Sequence, residues 1–342
     1  MQRLPLERLA ALFALAAFGV LILVSLNSRT PGASEGARIS FQIATGPSGG
    51  TFFTIGEAIA GLVSHPPGVG RCETSMVCGP SGVILSARTS QGSVESLAAV
   101  NSGLIDSALV AGDMVQAAAT GQGPFRRTGP LRHVRVIAAL FAEQVHLVVP
   151  ASSRIGAVSD LFGKRVYIGA AQSGGAATAR EILSAFGVGP NSFRRVDSDD
   201  PAADLAAGKL DAFFIIAGAP TPSAQKALAT GKARLVPVEG PAATRLSGDD
   251  AQLQAATITA NVYPHNAATP TLATRAVWIV NDRASDALVY GLVRALFNPA
   301  NHAALAASHP AAGDIDLATA AQMLPAPLHS GAARYYREAG KL

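Results

Sequence analysis

Ser102-Gly-Leu-Ile-Asp106-Ser-Ala-Leu-Val110 and Ala207-Gly-Lys-Leu-Asp211-Ala-Phe-Phe-Ile215 follow one template: a helix end, a glycine, an apolar residue, an aspartate, then a short strand. Glycine is the residue that closes a helix in the left-handed conformation, and the apolar run after the aspartate suits a buried strand. Upstream of each copy stands a second matched pair. Ile43-Ala-Thr-Gly-Pro-Ser-Gly-Gly-Thr51 and Ile168-Gly-Ala-Ala-Gln-Ser-Gly-Gly-Ala176 both read as a strand that turns through glycines into a helix. A repeat of this size predicts two similar α/β lobes.

The rest of the chain fits that unit. Strand patterns cover Ile39–Ala44, Val83–Ala87, Ser107–Val110, Arg165–Ile168, Ala212–Ile216 and Val277–Val280. Val134–Leu140 and Val145–Val149 form either a strand pair or one extended crossing. Between them, Ile55, Ile59, Leu62 and Val63 repeat with helical spacing, and helices are expected over Val94–Val100, Ala177–Phe186, the segment ending at Leu205, and most of 284–309 and 316–340. Alternation of this kind predicts an α/β fold with largely parallel sheets. The expected division is residues 35–145 plus about 281–342 in one lobe and 146–280 in the other, with a ligand cleft between them and two hinge crossings.

Composition narrows the class. The chain has 342 residues and a formal charge of +4. Residues 1–34 carry Arg3, Arg8, Arg29 and Glu7, which leaves 24 basic against 22 acidic side chains in the remainder. That balance offers no field for nucleic acid. Leu9 to Leu26 is an uncharged apolar run of 18 residues behind Arg3 and Arg8. It reads as an export signal, either cleaved or kept as a single-span anchor, and puts the rest of the chain in the periplasm. Cys72 and Cys78 are the only cysteines, six apart. In an oxidising compartment they are expected to form a disulfide that staples one loop, the alternative being two free thiols.

Both Ser-Gly-Gly turns stand where a strand feeds a helix. Unpaired N–H groups and the positive dipole end of such a helix suit an anion, and two facing lobes bring two of these ends to one cleft. Sharper motifs fail. Gly46-Pro-Ser48-Gly-Gly50 matches a nucleophile elbow, so an exported serine hydrolase using Ser48 is an alternative, yet no earlier strand supplies an oxyanion loop and no histidine carries a signature. Gly169 to Gly174 has P-loop spacing, but Gly175 and Ala176 stand where lysine and a hydroxyl belong. Of seven histidines, His302 and His309 lie two turns apart with no further ligand, so neither metal nor cofactor is expected.

Four stretches carry a family resemblance: Ile43–Phe53, Gln91–Leu97 through Asp106, Ala217–Pro222, and Pro327–Gly340. Together they resemble the TAXI family, the extracytoplasmic solute receptors of TRAP transporters. The resemblance implies a type II periplasmic-binding-protein fold that captures a small organic anion, an acidic or polar amino acid or a dicarboxylate, and delivers it to the membrane subunits of a TRAP permease. It implies no enzyme activity. A tethered ligand sensor is the alternative if residues 9–26 stay in the membrane. Carried over by position, Ser48, Gly49, Gly50, Thr51 and Phe52 form the first ligand loop. Ser90 and Ser93 sit on the second, and Asp113 on the third. Gln172, Ser173, Gly174, Gly175, Pro220 and Tyr263 come from the second lobe. Phe52, Phe53, Ser330 and Arg88 depart from the family pattern. Arg88 either pairs with a ligand carboxylate or is a surface arginine. Ser93 alternatively caps its own helix, and Tyr263 alternatively packs ahead of Pro264. Asp113 beside the cleft would repel a dicarboxylate and hold an amino group.

Overall fold

A computed structural model describes residues 38–342 apart from 67, 76 and 249–251, so the apolar run 9–26 lies outside the described residues. Among the described residues, no helix is long and apolar enough to cross a membrane. The chain begins with β1 (Ile39–Ala44), α1 (Thr51–Val63), α2 (Gly70–Ser75), β2 (Val83–Arg88), α3 (Ser93–Ser102), β3 (Ser107–Ala111) and α4 (Gly112–Thr120). The long β4 (Val134–Pro150) follows. Next come β5 (Arg165–Tyr167), α5 (Gly174–Ala185), β6 (Arg194–Arg195), α6 (Pro201–Ala206), β7 (Ala212–Ala217), α7 (Pro222–Leu228), β8 (Ala233–Val236), α8 (Pro241–Leu246) and β9 (Gln254–Ile258). A second long strand, β10 (Thr269–Asn281), precedes α9 (Asp286–Leu296), α10 (Pro299–Ser308) and α11 (Ser330–Glu338).

The strands make one mixed sheet in the order β2-β1-β3-β10-β4-β7-β5-β6, with β8 on β4 and β9 on β10. β1 pairs parallel with β2 and β3, and β5 pairs parallel with β6 and β7. Every pairing of β4 or β10 with another strand of the sheet is antiparallel, which corrects the expectation of largely parallel pairing. The reason is topological: a chain that leaves one half of the sheet on β4 has to return on β10 in the opposite direction. β4 pairs with β10 over its first part and with β7 and β8 from Gln144 onward, so Val134–Leu140 and Val145–Val149 belong to one extended crossing. Its sequence VRVIAALFAEQVHLVVP is nearly unbroken in apolar side chains because both faces are covered.

The repeated template closes on the same contact in both halves. Gly103 and Gly208 take positive φ after their helices. The Asp106 carboxylate accepts from the Gln42 N–H beside β3, and the Asp211 carboxylate accepts from the Arg165 N–H beside β7. Each aspartate therefore ties the start of its strand to the neighbouring parallel strand. Four apolar clusters cover the two faces of the two half-sheets. One gathers Ile43, Ile55, Phe141, Trp278 and Leu292, and a second gathers Leu97, Val110, Met114 and Val277. A third holds Leu147, Ile182 and Phe214, and a fourth holds Phe213, Leu228 and Tyr263. Cys72 and Cys78 are disulfide-bonded and pack with Val77 and Val69 apart from these four. Of the helix expected over 316–340, only α11 forms. Pro325 and Pro327 cannot donate, and the chain there instead runs beside β4, with Val136 N–H bonding the Pro327 carbonyl and His329 N–H bonding that of Val136.

Candidate functional site

A cleft of about 420 Å³ opens where the carboxyl ends of β1, β5 and β7 face each other across β4, the position at which α/β sheets hold ligands. Three helix N-termini with glycines border it: Gly50, Thr51 and Phe52 at α1, Gly92 and Ser93 at α3, and Ser173, Gly174 and Gly175 at α5. Gly50 and Gly92 stand at the N-caps of α1 and α3 with no side-chain cap, so first-turn N–H groups remain for another acceptor. Ser173 does cap α5, its Oγ accepting from Ala176 N–H at 3.0 Å. The walls are Ile168, Phe214, Ile215 and Ile216, with Tyr167, Asp199, Thr221 and Ser223 at the edges.

The two halves touch around this space. Thr51 Oγ1 donates to the Gly218 carbonyl, and Thr178 Oγ1 on α5 donates to the Asp113 carboxylate on α4. Gly92 and Gly174 permit a close approach. A Cβ on Gly92, which also takes positive φ, would lie 3.0 Å from Ser173 Cα, and one on Gly174 would lie 2.9 Å from Ser93 and Met114 side-chain atoms.

Eight of the expected site residues therefore meet in one place: Gly49, Gly50, Thr51, Phe52, Ser93, Ser173, Gly174 and Gly175. Seven do not line it. Ser48 is exposed on the outer side of its turn, and no histidine among the described residues bonds it or lines the cleft. Arg88 is exposed at the end of β2, where its carbonyl accepts from Thr45 Oγ1. Ser90 Oγ bonds Ser96 Oγ and receives Gly92 N–H, which shapes the turn from outside. Ser93 borders the cleft but is not the cap: its Oγ accepts from Ala111 N–H, fixing α3 to β3. Pro220 contacts His309 Nε2 through its carbonyl, behind the cleft.

Asp113 lies in the first turn of α4, not on a loop, and Gln172 is exposed beside it; both border a neighbouring cavity of about 690 Å³ with Arg126, Arg180 and Glu181. Burial pushes the Asp113 carboxyl up to about 6, against the lowering effect of hydrogen bonds from Thr178 and Met114 N–H.

Tyr263 is fully buried, 1% exposed, and both sides of its hydroxyl are engaged. It accepts from Thr221 N–H at 2.9 Å and donates to His146 Nε2 at 2.7 Å. His146 Nδ1 faces the carbonyls of Gln144 and Ile215, so that nitrogen carries the proton. Burial lowers His146 to about 4, which keeps the ring neutral. The pair thus fixes the Pro220–Thr221 turn at the cleft edge and does not reach into it.

The residue that sequence reading missed is Glu143. It lines the cleft from β4, is 4% exposed, and its Oε2 is buried without a hydrogen-bond partner. Burial pushes its carboxyl well above the usual carboxylate range, and the nearby Asp113 carboxyl pushes the same way. No signal marks it in sequence: it sits between apolar stretches of one strand.

Two half-sheets sharing a pair of crossing strands, with glycine-rich helix starts facing each other over a cleft, make a two-lobe fold of the kind seen in solute-binding proteins. The chain belongs to the NMT1-like family, whose sequence profile matches residues 43–340. Among solved structures it is similar to a binding protein component of an ABC phosphonate transporter from Pseudomonas aeruginosa. The identity is 10%, the match covers 82% of this chain and 81% of that one, and the TM-score is 0.51. It is also similar to a TctC solute binding protein from Polaromonas, at 17% identity, 90% and 99% coverage and a TM-score of 0.48. A third is the periplasmic aliphatic sulphonate binding protein from Escherichia coli, at 15% identity, 88% and 84% coverage and a TM-score of 0.43. At these identities the likeness concerns the fold.

Proposed function

We propose that the chain captures a small organic solute with an anionic head in the cleft and hands it to membrane permease subunits. The observation that carries this reading is the convergence of three helix N-termini, two of them without side-chain caps, on one cleft. The solute class we infer is an acidic or polar amino acid or a dicarboxylate. The resemblance to TAXI receptors favours a TRAP-type, ion-driven permease as the partner. The two lobes are residues 35–145 plus about 281–342, and 146–280, and they close over the solute by bending of β4 and β10. Residues 9–26 act as the export element, cleaved or retained as a tether.

The test is thermal unfolding of the full chain against amino acids, dicarboxylates, keto acids, sulphonates, phosphonates and neutral sugars, in protein first unfolded and refolded to strip carried-over solute. A true solute at about a hundred times its dissociation constant adds about 2.7 kcal/mol of stability. A shift confined to one class of organic anion supports the reading. No shift with any anion, or a shift only with neutral sugars, overturns it.

A further inference from the structure

The cleft has a charge pattern that its anion-suited rim does not explain. No lysine, arginine or histidine lines it among the described residues, whereas Glu143 and Asp199 both do. Asp199 is exposed at the rim, but Glu143 is on the floor. β4 and β10 place Glu143 opposite Thr274, whose Oγ1 is taken by Asp113 N–H at 3.1 Å. The adjacent Arg275 does not neutralise Glu143: its guanidinium bonds the Leu140 carbonyl and the carbonyl and hydroxyl of Thr319. The Glu143 carboxyl therefore has a buried oxygen with no donor from the protein, on a residue that lines the cleft. A buried acceptor without a partner costs free energy, and a donor brought by the solute recovers it.

We propose that Glu143 is the receptor for a cationic amino group on the solute, so that the cleft takes zwitterions, with the acid group on the main-chain N–H groups of α1, α3 and α5 and the ammonium on Glu143 Oε2. This deepens the receptor reading above and rests on it. A dicarboxylate would bring a second negative charge to a floor that offers it no cation and a buried acid. An amino-bearing solute supplies the missing donor. Burial raises the Glu143 carboxyl in the free cleft, an arriving ammonium favours its charged form, and any proton it carries passes to solvent as the ion pair forms.

Matched probes test this on the full chain by calorimetric titration: L-glutamate against glutarate, L-leucine against 4-methylpentanoate, taurine against ethanesulphonate, and 2-aminoethylphosphonate against ethylphosphonate. In at least one pair the amino-bearing member binds about tenfold or more tightly than its partner, the range of one charge-assisted hydrogen bond. Glu143→Gln keeps the shape and a donor but loses the charge. It abolishes that preference: within the pair, the ratio of the two affinities falls to about one, whatever each member's own affinity becomes. Should the deaminated member bind equally or better in every pair that binds, the Glu143 proposal is wrong and the receptor reading stands. The wild-type comparison decides this even if Glu143→Gln fails to fold. Retention of the amino preference in folded Glu143→Gln overturns it equally. If no member of any pair binds, the receptor reading falls and takes this proposal with it.

Discussion

Asp113 is an acid placed where its charge is unwelcome. Its carboxyl, at about 6, sits above the value near 3.8 of the unfolded chain. The folded form therefore holds the proton more tightly, and stability falls as pH rises from about 4 to about 6, by roughly 3 kcal/mol over that window. The penalty is complete above pH 6. Asp113→Asn keeps an acceptor for Met114 N–H and replaces the acceptor of the Thr178 hydroxyl with an amide donor, while that hydroxyl can still donate to the Gly174 carbonyl. It should stabilise the protein at pH 7.5 and flatten the fall, as read by urea unfolding at pH 4.5 and 7.5. A steeper fall in the variant would show that another group carries it. Position 113 also marks how far single residues are legible. The sequence puts an acid near the cleft, but only the fold shows that Asp113 turns to α5 while Glu143, in the middle of β4, supplies the floor. The Ser93 hydroxyl turns to Ala111 N–H at the cleft border and that of Tyr263 lies outside the cleft for a related reason: a hydroxyl advertises hydrogen bonding without saying whether protein or solute takes it.

Strands and helices were more legible than side-chain roles. β1, β2 and β3 follow directly from short apolar runs bounded by turn residues. The crossing at β4 stayed ambiguous because Gln144 interrupts its apolar pattern only at the point where its partner changes from β10 to β7. β8 and β9 left too short a pattern to read, and Ala212–Ala217 gave no hint that its neighbour on β4 runs against it. The element-level prediction concerns the start of α5. Gly174→Val places side-chain carbon where Ser93 and Met114 already stand, 2.9 Å from a bare Cβ. α5 itself tolerates valine, so the fold should survive while α3 and α5 are wedged apart. We expect affinity for whichever anion binds to drop about tenfold or more, with a larger radius of gyration by small-angle X-ray scattering. Unchanged affinity would mean that α3 and α5 need not touch for capture.

For the whole molecule, the clusters on the two half-sheets carry the stability, and the Cys72–Cys78 disulfide stands outside them. The bond spans a short loop, so its effect lies mostly in restricting the unfolded chain. Replacing both cysteines with alanine should cost about 2 kcal/mol in urea unfolding and leave solute affinity as it was. A change in affinity would tie the loop to the cleft. The internal echo, and with it the two-part architecture, was readable because it is written in glycines and aspartates that the backbone requires. The direction of the joining strands was not, because direction is set by how the chain returns and not by any local residue.

The main-chain N–H groups at the starts of α1, α3 and α5 have a consequence for how such a cleft diversifies. A peptide dipole does not titrate and cannot be exchanged by a point mutation, so the half of the pocket built from it is effectively inherited with the fold. What variation can rewrite is the opposite wall, where Tyr167, Glu143 and Thr221 are ordinary side chains. If the cleft holds its solute as proposed, descendants of this architecture should keep one grip and change the other, altering the tail of the cargo while continuing to hold its head in the same way.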